Sequence, residues 1–281
     1  MPSTWPTIVI VHDGCSDATT WFGVIAELHR RGLTVLAAAN PLRGLAHDAA
    51  YVSSVVAGID GPVVLVGHAY GGAVITQAGA APGVVALVYV SAYLPAEGES
   101  YQALASRFAP APILACLRRT PLGRSETALA SGPAADAAVD STALPEAELT
   151  VPADAFRELV AADLDPEVAR ALAAVQRPMA TRVFSDVPTV AAWRHKPAWA
   201  LVTGADQALP PQLQRFTADR ADATVLDLPE ACHAVAVSQP TAVAEFIHDA
   251  ARVATGDGAR AESGTGAGIG TGIGTGARHA R

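Results

Sequence analysis

Short apolar runs alternate along most of the chain with segments whose apolar residues recur every three or four positions. The runs predict strands over residues 7–11, 33–39, 63–66, 84–90, 198–203 and 223–228. The periodic segments predict helices over residues 21–31, 45–59, 71–80 and 238–253. Because this alternation is typical of βα units, the pattern predicts an α/β fold with a mostly parallel central sheet flanked by helices.

The alternation fails over residues 95–196, which are rich in proline, alanine and leucine. Helices are predicted there only over 155–163 and 166–174, and residues 120–150 carry little periodicity. An insertion at this point would lie over the carboxyl ends of the strands, where α/β sheets bind ligands. We therefore predict a core in two parts, residues 1–94 and 197–255, with 95–196 inserted as a cap or lid over the site. Residues 256–281, a Gly-, Thr- and Ala-rich run, are predicted to be disordered.

Composition narrows the class of function. The 281 residues are 51% apolar and 16% charged, with a net charge of −8, which fits an acidic globular enzyme and argues against a nucleic-acid partner. No apolar run is long enough to cross a membrane, and the first residues lack the pattern of a signal peptide. We therefore expect a cytoplasmic protein with a small-molecule partner, and the sequence leaves its oligomeric state open.

Metals and cofactors are not expected either. The three cysteines, Cys15, Cys116 and Cys232, are odd in number and lack CxxC spacing, which argues against a disulfide framework and against a zinc site. The chain has no nucleotide or flavin motif. We therefore predict that neither a metal nor a cofactor takes part.

The segment after the predicted strand 63–66 carries the most chemical information. Residues 67–72 read Gly-His-Ala-Tyr-Gly-Gly. The order glycine, any residue, nucleophile, any residue, glycine forms a strand-to-helix turn so tight that the neighbouring side chains must be small. Gly67 and Gly71 satisfy that requirement, but Ala69 stands at the nucleophile position and has no oxygen with which to attack.

Two residues farther along the chain are candidates for acid–base chemistry. His233 follows the last predicted strand, and Asp206 follows the strand before it. Ala69, Asp206 and His233 thus have the order nucleophile, acid, histidine, each after the carboxyl end of a strand. We predict His233 as a catalytic base oriented by Asp206, with Asp227 and Glu230 as nearby alternatives for the acid.

The loop after the first strand is the third candidate element. There the backbone N–H groups of Gly14 and Tyr70 would form an oxyanion hole, a pair of donors that stabilises negative charge on a substrate oxygen. Asp13 precedes Gly14, at a position where the usual pattern has glycine. Its carboxylate either faces the site or turns away to cap its own loop. Cys15 and Cys232 are alternative nucleophiles, although a small buried cysteine is far commoner.

These features resemble the α/β-hydrolase superfamily, in particular its branch of small-molecule esterases and hydroxynitrile lyases. The resemblance covers residues 6–254 and rests on residues 9–12, 63–68, 70–72 and 87–90, on Trp21, Asp206 and His233, and on the prolines at 210 and 211. It implies an α/β-hydrolase fold with a Ser–His–Asp triad. The chain departs from that pattern through Ala69 in place of serine and Asp13 in place of glycine.

Three functions are compatible with these departures. In the first, His233 and Asp206 perform general acid–base catalysis on a small carbonyl-bearing molecule without an acyl-enzyme, as a lyase, decarboxylase or cyclase; the family resemblance implies relatives of this kind. In the second, the chain is an ester or amide hydrolase whose serine has been lost. In the third, it is a non-catalytic protein that binds a small molecule. The orientation of Asp13 distinguishes the first from the second.

Overall fold

The computed structural model of the chain describes residues 5–121 and 147–255. Its strands are β1 (Thr7–Val11), β2 (Val35–Ala38), β3 (Val63–His68), β4 (Val84–Val90), β5 (Arg118–Pro121), β6 (Ala147–Thr150), β7 (Met179–Ala180), β8 (Ala198–Thr203) and β9 (Thr224–Leu228). One six-stranded sheet has the order β2-β1-β3-β4-β8-β9, and every neighbouring pair in it is parallel. The predicted α/β fold with a parallel central sheet is confirmed.

Helices cover both faces of this sheet. They are α1 (Phe22–Arg30), α2 (Leu45–Ala57), α3 (Tyr70–Ala78), α4 (Tyr101–Ala105), α5 (Ala153–Val160), α6 (Pro166–Val175), α7 (Pro211–Arg220), α8 (Val235–Ser238) and α9 (Pro240–Ala254). Apolar residues of α1, α8 and α9 form the core on one face, and those of α2, α3 and α7 contribute to the core on the other. Within the described residues, every helix is too short or too polar to cross a membrane.

The burial of β3 on both faces explains why the sequence predicted this strand. Val63 and Leu65 pack into the core on one face, whereas Val64 and Val66 pack into the core on the other. A strand covered on both sides has no polar face, so it appears in the sequence as an unbroken apolar run.

Helix α7, which packs against the core, was not predicted. Its buried residues are Leu213, Gln214, Thr217 and Ala218, so half of its inward face is polar and the apolar period is too sparse to detect. Its start does have a local cause, because Pro211 lies at the first helical position, where proline lacks an N–H that would have no partner anyway.

The predicted insertion contains more regular structure than the sequence indicates. Helices α5 and α6 confirm the two helices predicted there, and β5, β6 and β7 form a separate antiparallel sheet. The expected irregularity over 120–150 is therefore wrong at its two ends, since β5 and β6 form by pairing with each other. All four residues of β5 are exposed, so it has no alternating burial to read. Residues 122–146 and the predicted disordered tail 256–281 lie outside the described residues, and the division into core and cap stays a prediction.

Candidate active site

Strand β3 passes into α3 through a sharp turn at Ala69, whose backbone has φ +45° and ψ −108°. A Cβ atom on Gly67 would lie 2.5 Å from the carbonyl oxygen of Gly71, and one on Gly71 would lie 2.3 Å from the carbonyl oxygen of Val11. Both separations are well inside van der Waals contact, so the turn requires glycine on each side of Ala69. The side chain at the centre of the turn is a methyl group, which has no lone pair with which to attack a substrate.

His233 and Asp206 meet at the carboxyl ends of β9 and β8. The Nδ1 atom of His233 lies 2.7 Å from Oδ2 of Asp206, and both residues are buried. The alternative acids lie elsewhere: Asp227 pairs with Arg215 at 2.6 Å, and Glu230 is exposed. Asp206 is therefore the acid of these three that contacts His233.

The carboxylate of Asp206 is held by four further hydrogen bonds. Its Oδ1 accepts from the N–H groups of Ala208 and Leu209, each at 2.8 Å. Its Oδ2 accepts from the Thr203 hydroxyl and the Gln214 amide, each at 3.0 Å. A carboxylate with this many donors is fixed in position, so it orients the imidazole of His233.

Asp13 faces the site, and its carboxylate occupies the place where an oxyanion hole would bind a substrate oxygen. The N–H groups of Gly14 and Tyr70 converge on its Oδ1, at 2.5 Å and 3.4 Å. Its Oδ2 lies 3.0 Å from Nε2 of His233. The two predicted donors do point at one spot, and a side chain of the protein itself fills that spot.

His233 thus lies between two carboxylates, Asp206 on Nδ1 and Asp13 on Nε2. Ionised carboxylates only accept hydrogen bonds, so both ring nitrogens carry protons in this arrangement. Burial alone would lower the pKa of His233, but the charges and hydrogen bonds of Asp206 and Asp13 outweigh it and raise the pKa to about 10. Burial alone would likewise raise the pKa of Asp13, but its hydrogen bond with His233 and the charge of that histidine lower it. The resting site is a carboxylate–imidazolium–carboxylate chain.

A buried carboxylate on the neighbouring helix α2 holds Tyr70 in place. The hydroxyl of Tyr70 donates to Oδ2 of Asp48 at 2.8 Å, and Asp48 is fully buried. Both oxygens of Asp48 also accept from the N–H of Arg43, each at 3.1 Å. The residue after Ala69 is therefore anchored at both ends, by its N–H on Asp13 and by its hydroxyl on Asp48.

His68 lies beneath His233 and completes a cluster that could hold a metal ion. Its Nε2 lies 3.0 Å from the backbone oxygen of His233, and its Nδ1 has no partner among the described residues. Burial and the charge of His233 lower the pKa of His68 to about 4, so this ring is neutral at neutral pH. Asp13, His68 and His233 offer ligand atoms within 4.8 Å of one another. A cation there would have to replace the hydrogen bond between Asp13 and His233, and the prediction that no metal takes part stays a prediction.

Neither cysteine near the site is ionised. Burial and the charge of Asp13 raise the pKa of the Cys15 thiol to about 12, and its Sγ lies 3.4 Å from the backbone oxygen of Leu149. Burial and a hydrogen bond to Asp163 raise the pKa of the Cys232 thiol to about 12. Because the thiolate is the reactive form of cysteine, neither side chain is activated as a nucleophile.

The loop that carries His233 is tied to α5 and the residues that follow it. The N–H of Cys232 donates to Oδ2 of Asp163 at 3.2 Å, and its thiol donates to the other carboxylate oxygen. On the other side of His233, the N–H of Ala234 donates to the backbone oxygen of Val160 at 2.9 Å. Two neighbours of the histidine are thus bonded to one helix and its end.

A cavity of about 930 Å³, which includes its open mouth, lies above Ala69, Asp13 and His233. Its walls are mostly apolar and include Ile113, Leu117, Phe156, Leu172, Met179 and Phe184. No lysine or arginine is among the described residues that line it. The cavity suits an uncharged, largely apolar molecule that presents a reactive group to Asp13 and His233.

Sequence reasoning missed several residues that shape this site. Thr203 and Gln214 orient Asp206, Asp48 anchors Tyr70, and Tyr93 and Tyr101 line the cavity. Only Asp48 left a detectable signal, because a carboxylate on the apolar face of a predicted helix needs a partner. The other four depend on which loops the fold brings together.

Fold and site together define a class of protein. A parallel sheet with a strained strand-to-helix turn, followed by an acid and a histidine at the ends of later strands, is the arrangement of the α/β hydrolases. The family model described as "Alpha/beta hydrolase family" matches residues 8–246. The chain belongs to the alpha/beta hydrolase family.

Solved structures of similar fold include several esterases. Polyneuridine aldehyde esterase superposes with a TM-score of 0.71 at 19% identity, over 87% of this chain and 98% of the other. A pyrethroid hydrolase from Sphingobium faniae JZ-2 gives 0.67 at 20% identity, over 87% and 96%. A methylesterase from Arabidopsis gives 0.68 at 16% identity, over 87% and 98%. At these identities the similarity shows the fold alone. No curated protein matches the chain.

Proposed function

We propose that this protein is an enzyme that moves protons on a small carbonyl-bearing molecule, by acid–base catalysis at Asp13 and His233, without forming an acyl-enzyme. The observation that carries the proposal is the position of the Asp13 carboxylate, between the N–H groups of Gly14 and Tyr70 and 3.0 Å from Nε2 of His233. We assign Ala69 to the nucleophile position, where its methyl group leaves only the base and the acid to act.

The charges of the pair suit this chemistry. Asp13 is ionised because its pKa is lowered, and His233 holds a proton because its pKa is raised to about 10. A carboxylate base and an imidazolium acid, side by side in a buried site, can remove one proton from a substrate and supply another in the same step.

The step balances as an enolisation. A substrate carbonyl enters between Asp13 and His233 and replaces their hydrogen bond, which makes the Asp13 carboxylate more basic. Oδ2 of Asp13 then takes the proton from the carbon next to the carbonyl, and Nε2 of His233 gives its proton to the carbonyl oxygen. The C–H electron pair becomes the second bond of the enol. Return of the protons at the same or another atom, or loss of a neighbouring group, completes an isomerase, lyase or decarboxylase reaction.

Deuterium exchange tests the proposal with a simple ketone. Wild-type protein is incubated with acetophenone in D2O, and loss of the methyl proton signal is followed by NMR. We expect exchange above the buffer rate, and a decrease of about 10²–10⁴-fold in Asp13→Asn and in His233→Gln. Asp60→Asn is the matched control, because Asp60 is exposed and precedes β3, at the opposite end of that strand from Ala69. Exchange no faster than buffer, or unchanged exchange in Asp13→Asn, would contradict the proposal.

A second candidate is an ester hydrolase that lacks its nucleophile. The convergence of the Gly14 and Tyr70 N–H groups and the hydrogen bond between Asp206 and His233 favour it, since both are parts of a serine hydrolase. The third function, a non-catalytic binder, receives less support. A pure binding protein has no need of an imidazolium held between two carboxylates.

A further inference from the structure

Two buried tyrosines line the cavity at the end of β4 and the start of α4. Tyr93 is 5% exposed and Tyr101 is 7% exposed, and both are among the residues that face the cavity. Their ring centroids lie 5.1 Å apart, and Tyr101 packs edge-on against Phe184 at 5.3 Å. The two phenol rings are therefore held together within one wall of the cavity.

Within the described part of the chain, the hydroxyl groups of these two tyrosines have no hydrogen-bond partner. Neither makes a hydrogen bond with any residue that the structure describes. Neither hydroxyl oxygen is fully enclosed, and both side chains line the cavity. Buried tyrosine hydroxyls usually find a partner. Two unpartnered donors on neighbouring rings of a mostly apolar wall therefore indicate a site for a ligand atom that accepts hydrogen bonds.

Both hydroxyls are donors at any physiological pH. Burial, together with the charges of Asp206 and Asp13, raises the pKa of Tyr101 to about 12. Burial, with smaller contributions from Tyr101 and Asp13, also raises the pKa of Tyr93. Asp13 and His233 line the same cavity, so the two tyrosines and the acid–base pair face one space.

The backbone that leads from β4 to Tyr93 is strained at Ser91. Ser91, directly after β4, has φ +43°, a conformation that costs free energy in a residue other than glycine. Its N–H donates to the backbone oxygen of Leu201 at 2.9 Å, and its hydroxyl oxygen lies 3.0 Å from that of Thr203. A Cβ on Gly72 would lie 2.8 Å from the Tyr93 carbonyl oxygen, so α3 packs directly against this loop. Contacts with Leu201 and Thr203 of β8, together with the packing of α3, hold this loop in place.

The residues around the two hydroxyl groups restrict the chemical class of the ligand. No lysine or arginine is among the described residues of the cavity, and the ionised Asp13 would repel an anion. The neighbouring walls are apolar. The atom that best fits two neutral donors here is an uncharged oxygen with two lone pairs, such as the oxygen of a ketone or aldehyde.

We propose that Tyr93 and Tyr101 form a polar subsite whose two hydroxyl groups donate hydrogen bonds to a neutral carbonyl-type oxygen of an otherwise apolar substrate. The backbone donors of Gly14 and Tyr70 are already occupied by Asp13, so these hydroxyls bind the substrate oxygen first, and one of them releases its lone pair when Nε2 of His233 transfers its proton. The inference rests on the proposed function only in placing the substrate in this cavity.

A matched pair of ligands tests the subsite on the full-length protein. Acetophenone has a carbonyl, and α-methylstyrene has the same shape with a CH2 group in place of the oxygen. Dissociation constants are measured by calorimetry for wild type, Tyr93→Phe, Tyr101→Phe and the double variant. Each substitution should weaken acetophenone about 5-fold, and the double variant about 25-fold, while α-methylstyrene changes less than about 2-fold. Tyr51→Phe is the control, because Tyr51 is exposed on α2.

The outcomes separate this inference from the proposed function. Equal weakening of both ligands would mean that the tyrosines act by packing, and unchanged affinities would mean that they do not touch the ligand; either result overturns the subsite. If a variant fails to fold, the 13C shift of labelled acetophenone on wild type remains, and it must move downfield on binding. Selective loss of acetophenone affinity without any deuterium exchange in wild type would support the subsite and refute the proton-transfer function alone.

Discussion

Replacing Ala69 by serine should not by itself produce an ester hydrolase. The new hydroxyl would need His233 as its base, but Nε2 of His233 carries a proton that it donates to Asp13 at 3.0 Å. The N–H groups of Gly14 and Tyr70, which would stabilise the tetrahedral intermediate, already bind the same carboxylate. Asp13 therefore blocks both the base and the oxyanion hole.

The expected rates follow from these two obstacles. A serine nucleophile contributes about 10⁶-fold to turnover in serine hydrolases. With the pKa of His233 at about 10, about one molecule in 10³ has a neutral imidazole at pH 7. Loss of one oxyanion donor costs about 10²–10³-fold. Together these two losses cancel most or all of the rate gain from the serine, so the turnover of Ala69→Ser should stay within about 10-fold of that of wild type. Asp13→Gly combined with Ala69→Ser frees both donors and removes the charge, and should be at least about 10⁴-fold faster.

Hydrolysis of 4-nitrophenyl acetate, followed by the absorbance of the released phenolate, measures all variants. Asp13→Gly alone controls for a general opening of the cavity and should be inert. Asp13→Asn combined with Ala69→Ser keeps a side chain of the same size and should fall between the two. An Ala69→Ser variant as fast as the double variant would refute the blocking role of Asp13. An inert double variant would refute the idea that Gly14 and Tyr70 form a working oxyanion hole.

Three further predictions concern stability. Folding raises the pKa of His233 from its ordinary value of 6.5 to about 10. The protonated histidine therefore stabilises the fold fully below pH 6.5, and this stabilisation is lost as the pH rises toward about 10. Across this range, the urea midpoint of wild type should fall more steeply than that of His233→Gln. Gly71→Ala places a Cβ 2.3 Å from a backbone oxygen of β1, so it should lower the free energy of unfolding by about 3 kcal/mol or prevent folding. In the control Gly58→Ala the nearest atom lies 3.5 Å from the new Cβ, and the free energy of unfolding, measured by thermal denaturation, should change by less than about 0.5 kcal/mol. Tyr70→Phe removes a donor from the buried Asp48 and should cost about 1–3 kcal/mol by chemical denaturation; a change below about 0.5 kcal/mol would mean that water replaces the hydroxyl.

The sequence was most informative where both faces of an element are buried. The strand before Ala69 is an unbroken apolar run, and the two glycines that flank the turn are required by contacts of less than 3 Å. The order of Ala69, Asp206 and His233 predicted that the last two would lie together, and Nδ1 of His233 lies 2.7 Å from Oδ2 of Asp206. The orientation of Asp13 could not be predicted, because an Asx turn and a contact with His233 need the same residue at the same position and differ only in a side-chain rotamer.

The features that the sequence did not predict depend on packing between residues far apart in the chain. Tyr93 and Tyr101 lie on short segments with no period of their own, and the loop that carries Tyr93 packs against α3 and contains the strained backbone of Ser91. The small antiparallel sheet was missed for a similar reason. Its strand β5 is exposed on every residue and is held by pairing with β6 rather than by burial.

The hydrogen bonds that join Val160, at the end of α5, and Asp163 to the two neighbours of His233 link one wall of the cavity to its chemistry. A bulky ligand that displaced this wall would pull on the backbone of Cys232 and Ala234, and the imidazole between them would move away from Asp13. Entry of such a ligand and release of the Asp13 carboxylate from its internal partner would then be one motion. An empty site would keep its charges paired, and a larger ligand would release the base more completely than a small one.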